Sequence, residues 1–160
     1  MAEYINNDEA ADIAETIIPE WHPHLEGIKI AHLSKLKAAP KKEKKAEAKP
    51  SRAGKKITMA KTSKLSDRIR TLLAAGVDYR FLIEYDDAIW QELPHEKRVA
   101  LVDHELAHCG NDIDGVYIKH HGLEEFAEII QRHGPWLKDR EQFLEACDQS
   151  FHEAKAAGGQ

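Results

Sequence analysis

The chain has 160 residues, 42% hydrophobic and 32% charged, which suits one domain with its own core plus short extensions. Its net charge of −5 gives no overall basic excess of the kind a nucleic-acid binder carries. No apolar run approaches the ~18 residues of a membrane span, the acidic start lacks the regions of a secretory signal, and Cys109 and Cys147 form no Cys-x-x-Cys pair, so a cytoplasmic protein with two reduced thiols and no membrane partner is expected.

In chain order, residues 7–18 are predicted to form a helix. Asn6 or Asn7 can cap it, acidic residues fill its first turn, Ile13, Ile17 and Ile18 share a side, and Pro19 and Pro23 act as stops. Residues 1–24 are expected as an N-terminal helical extension, ahead of a domain spanning 25–156 and a disordered tail at 157–160. His22-Pro23-His24 reads as a turn between prolines rather than a second metal site. Ile28 to Leu33 alternate like a strand.

From 35 to 64 the composition shifts to twelve Lys or Arg against two acidic residues. Its middle, about 38–56, has almost no large apolar side chain and is expected to be a flexible basic insertion. With 57–60 as a second strand, the simplest picture is a hairpin with a long basic tip.

Residues 66–75 are predicted as a helix capped by Ser66, with Ile69, Leu72 and Leu73 inward. Residues 79–85, Tyr-Arg-Phe-Leu-Ile-Glu-Tyr, make the strongest strand of the chain, and Asp86 and Asp87 open a short helical turn through Trp90. Pro94 suits the first turn of the next helix, which carries an apolar stripe of Val99, Val102, Leu106 and Cys109 and meets a stop at Gly110. A loop follows over 111–120, then helices over about 122–133 and 138–156.

The chemistry is carried by residues 104–108, His-Glu-Leu-Ala-His. On a helix His104 and His108 lie one turn apart on one side, so two imidazoles can grip one Zn²⁺. Glu105 lies beside that face, placed to reach a water on the ion rather than the ion itself. Two ligands and a general base on one rigid element are the HExxH arrangement, in which zinc lowers the pKa of its water and the carboxylate accepts the proton as the water attacks a carbonyl. A third ligand is required. His121 is the first candidate, with Glu125, Glu124 and His120 as alternatives. Asp103 reads either as a partner that orients a ligating imidazole or as a plain exposed acid.

HExxH followed by His121-Gly-Leu-Glu-Glu-Phe126 resembles the SprT-like zinc proteases, in which a third histidine opens the next helix. More closely, the run Val102-Asp-His-Glu-Leu-Ala-His-Cys109, the Glu-Glu-Phe126 segment and Arg132-His-Gly-Pro-Trp136 resemble a family of phage metallopeptidases, over roughly residues 25–140. The resemblance implies an α+β, minimal zincin-like domain. A small, mostly antiparallel sheet would pack on the HExxH helix and a backing helix, in a protein acting in a bacterial host's cytoplasm. It implies no particular substrate.

Two readings from different classes follow. The first is a zinc-dependent peptidase that hydrolyses peptide bonds of a protein or peptide substrate by a zinc-bound water, with Glu105 as general base. Its strand at 79–85 would pair with an extended peptide if it is an edge, and Tyr117 is a candidate oxyanion donor. The second keeps the fold without catalysis and uses the basic segment 35–64 for weak contact with DNA or a host protein. That segment lacks interleaved aromatics for base stacking, and an intact Glu105 favours the first reading, since a purely structural site has no use for it.

Overall fold

The computed structural model of the chain describes residues 2–37, 58–73, 76–121, 126–134 and 136. Four strands, β1 (Glu3–Asn6), β2 (Lys29–Leu36), β3 (Ala60–Lys64) and β4 (Tyr79–Asp86), form one sheet in the order β1-β2-β4-β3. β1 runs antiparallel to β2 and β3 antiparallel to β4, while β2 and β4 are parallel at the centre. Among the described residues five α-helices accompany it: α1 (Asp8–Trp21), α2 (Asp67–Leu72), α3 (Asp87–Glu92), α4 (His95–Ala107) and α5 (Ala127–His133). Strands β5 (Cys109–Asp112) and β6 (Gly115–Ile118) make a separate antiparallel hairpin. The architecture is α+β with a small mixed sheet, compatible with a minimal zincin-like domain.

β4 is the spine of the molecule. Its alternation puts Phe81, Ile83 and Tyr85, all 0% exposed, on one face, and full burial of such side chains contributes about 1.5–3 kcal/mol each. In the parallel register Ile30, His32 and Ser34 of β2 sit beside them. Helix α1 adds Ala10, Ile13, Ala14 and Ile17 to the core, and α4 adds Ala100, Leu101, Val102 and Leu106. The corner between β1 and α1 is tied by Asn7, whose side chain accepts from the Ala10 N–H at 2.9 Å and donates to Ser34 Oγ at 3.1 Å. Its own N–H donates to the His32 carbonyl at 2.9 Å.

Several expectations are corrected. Pro19 does not stop α1, which runs on to Trp21. The N–H that Pro19 lacks would have met the carbonyl of Glu15, an exposed residue whose carbonyl water can serve instead. The strand at Glu3–Asn6 has no counterpart among the expectations. β2 and β3 are not a hairpin, because β4 lies between them. The same order makes β4 a central strand and β3 an edge. Ser66 does cap α2, accepting from the Ile69 N–H, but Ile69, Leu72 and Leu73 are 45%, 85% and 51% exposed rather than inward.

The segment after α4 is a hairpin, not a loop. Its turn forms where the Asp112 side chain accepts from the Asp114 N–H and Gly115 takes a φ of 112°. Gly110 ends no helix; it lies in β5, where a Cβ would stand 2.4 Å from the Tyr117 ring packed over it. The basic insertion expected at about 38–56, the helix expected at 138–156, Cys147 and the tail at 157–160 lie outside the described residues.

Candidate metal centre

Helix α4 begins after Pro94, whose fixed φ suits a helix start. Its inner side is built from Ala100, Leu101, Val102 and Leu106, all buried, which leaves the half-buried His104 and His108 on the side away from the core. His108 is the C-cap residue, so the helix stops at the second imidazole and the chain passes straight into β5. The negative end of a helix dipole therefore lies at the site, where it favours a cation.

The β5–β6 hairpin brings the third imidazole back. After β6 the chain runs alongside His108: the Lys119 N–H donates to the His108 carbonyl at 2.7 Å, and His108 Nδ1 meets the Lys119 carbonyl at 2.7 Å. A carbonyl only accepts, so Nδ1 carries the proton and the neutral ring presents its lone pair at Nε2. Such a backbone contact fixes both ring orientation and tautomer for metal binding. His121 follows two residues later. The ring centroids of His104, His108 and His121 stand 5.0–5.3 Å apart. One nitrogen from each lies within 4.8 Å of the others.

These residues fit a zinc ion. Bonds of ~2.0–2.1 Å in a tetrahedron ask for nitrogens roughly 3.3–3.5 Å apart, which falls inside the 4.8 Å that bounds the three nitrogens. Neutral imidazoles are also the donor type zinc takes readily. Phe126 packs against all three rings at centroid distances of 4.9–5.5 Å and is itself buried, so it forms an apolar wall on one side of the cluster. His120 is exposed and stands outside the group, while Glu124 and Glu125 lie outside the described residues. No further set of three metal-ligating side chains occurs among the described residues.

Glu105 is 4% exposed and leaves α4 toward the sheet. Thr62 of β3 donates to its Oε2 at 2.5 Å. Burial first, then the Glu105 carboxylate, push the Tyr85 hydroxyl and the Cys109 thiol up from their ordinary values, so Cys109 stays a protonated, buried thiol.

Asp103 occupies neither of the places read for it. It is 0% exposed and bonded to His22 at 2.6 Å, His133 at 2.8 Å and Arg132 at 2.7 and 2.9 Å, not to an imidazole of the triad. Burial alone would raise its pKa; the bonds from His22, Arg132 and His133 outweigh that and hold it at about 2. It fastens α4 to α5 and to the 3₁₀ turn that begins at Pro23. His22 thus serves that anchor, and His24 Nε2 donates to the Cys109 carbonyl at 2.9 Å, so the His22-Pro-His24 turn braces α4 and β5. Tyr117 is 43% exposed on β6, packed over Gly110. Sequence reasoning missed Thr62 and the Lys119 carbonyl. Neither carries a local signal, since each is brought in by strand pairing.

A family model described as "Putative phage metallopeptidase" matches residues 2–148. The match is wider than the stretch on which the resemblance rests, and the chain belongs to that family. Comparison with curated proteins and with solved structures found no significant match. No helix among the described residues is long and apolar enough to cross a membrane.

Proposed function

We propose that this member of the phage metallopeptidase family is a zinc-dependent peptidase with His104, His108 and His121 as ligands and Glu105 as general base. The observation that carries the reading is the convergence of three imidazoles from one helix end and one hairpin exit, beside a buried carboxylate from the same helix turn. Zinc, when bound, supplies the Lewis acidity that activates water and polarises the scissile carbonyl.

The chain's own residues do the rest. The Lys119 carbonyl keeps His108 in the tautomer that can ligate. Phe126 excludes water from one side of the cluster and so strengthens electrostatic interactions there. Glu105 takes a proton from the attacking water and returns it to the leaving amine. The edge strand β3 passes beside Glu105. An extended peptide pairing with its outer side would present a carbonyl to the cluster.

The test is zinc-loaded full-length protein against a panel of denatured proteins, compared with Glu105→Gln. Expected are one zinc per chain in both proteins, cleavage by the wild type, and a loss of about 10²–10⁴-fold in the variant. Zinc-loaded wild type as inert as the variant across the panel would overturn the reading.

A further inference from the structure

The position of Thr62 on β3 gives it a role of its own. Register with the central strand fixes its backbone, Thr62 facing Ile83 in the β3–β4 pair. The branched Cβ restricts its χ1 rotamer. Its hydroxyl therefore sits on a rigid support, and it meets two oxygens of one residue, Glu105 Oε2 at 2.5 Å and the Glu105 carbonyl at 3.2 Å. One hydroxyl proton serves the nearer, charged acceptor; a carboxylate can only accept, so the direction of the bond is fixed. Neighbouring side chains on a strand point to the opposite face, so Lys61 and Ser63 cannot replace it.

We infer that Thr62 is a positioning residue for Glu105: it holds one carboxylate oxygen against the edge strand and so helps to set the direction in which the general base faces the three imidazoles. The inference rests on the peptidase reading for its catalytic meaning, but the orientation itself is measurable without turnover. A carboxylate at 4% exposure needs such a donor to stay in place. An oriented base is worth more to the reaction than a loose one, since small misplacements cost rate steeply.

The experiment compares zinc-loaded full-length wild type, Thr62→Val and Thr62→Ser by three readouts. These are zinc affinity by chelator competition, the Glu105 rotamer in crystal structures, and the kinetics of cleavage of fluorescein-labelled casein. Thr62→Val is expected to bind zinc within about twofold of wild type, with the Glu105 carboxylate turned away or spread over several rotamers. Its kcat should fall about 10–100-fold with KM within about twofold. Thr62→Ser should restore both the rotamer and most of kcat, which a residue needed only for packing would not do.

An unchanged Glu105 rotamer in Thr62→Val overturns the inference, as does a Thr62→Ser protein as impaired as Thr62→Val. Should Thr62→Val fail to fold, the same comparison is made between Thr62→Ser and Thr62→Ala. If wild type leaves casein intact, the peptidase reading loses support, while the rotamer comparison still decides what Thr62 does.

Discussion

Single side chains divide the labour at this site sharply. Asp103 and Glu105 are two residues apart on α4, both buried and both acidic, yet one meets three cationic or ionisable partners and the other has a threonine hydroxyl among its partners. Asp103 is the anchor. Asp103→Ala takes the carboxylate from the half-buried Arg132 and from His22 and His133 and is expected to cost about 3 kcal/mol, read from urea unfolding of the metal-free protein. His32 behaves differently. Burial holds its pKa down at about 4 from the ordinary 6.5, with Nδ1 3.0 Å from the Tyr85 hydroxyl. The folded protein thus keeps the ring neutral where the unfolded chain would protonate it. Its contribution is whole above pH 6.5 and is lost as pH falls toward 4, on the order of 3 kcal/mol. In His32→Gln the fall in unfolding free energy between pH 7 and pH 4 should shrink by about that amount. An unchanged pH slope would show that the loss arises elsewhere.

Among the elements, α1 depends on its start more than on its proline. Asn7 caps the helix and is buried while bonding Ser34 of the next strand. Asn7→Ala is expected to lose about 1–3 kcal/mol, checked by chemical denaturation, more than a solvent-exposed cap would. The elements also show what the amino-acid order discloses. α4 and its two histidines were legible because the ligand spacing lies within one helical turn, and β4 because its apolar run is long. The joining of His121 to that pair follows from the hairpin, which was not legible: β5 and β6 have four residues each, with Gly, Asn and Asp where strand formers are usual. Leu72 and Leu73 misled because helical spacing says which residues share a side, not what that side meets. Thr62 was hidden at the end of a lysine-rich stretch, and only the pairing of β3 with β4 brings it to Glu105.

For the molecule as a whole, the site joins parts already linked by the backbone bonds between His108 and Lys119. Its three imidazoles come from the end of α4 and the exit of the β5–β6 hairpin, so an ion that binds only the folded form stabilises both. Zinc at 1,000 times its dissociation constant adds about 4 kcal/mol. For a chain of this size that raises Tm by roughly 10 °C. Calorimetry with zinc and then with excess chelator should show the shift, and His121→Ala should abolish most of it. A shift that survives in that variant would move the third ligand elsewhere.

The strand order bears on how the chain comes into being at the ribosome. β4 is the last of the four sheet strands to be synthesised, yet β2 and β3 both lean on it. Until Tyr79–Asp86 emerges, β3 has no neighbour in the sheet and β2 has only β1. Nascent chains cut short of β4 would therefore expose two unpaired edges to proteases and chaperones, while a few added residues complete the sheet at one stroke.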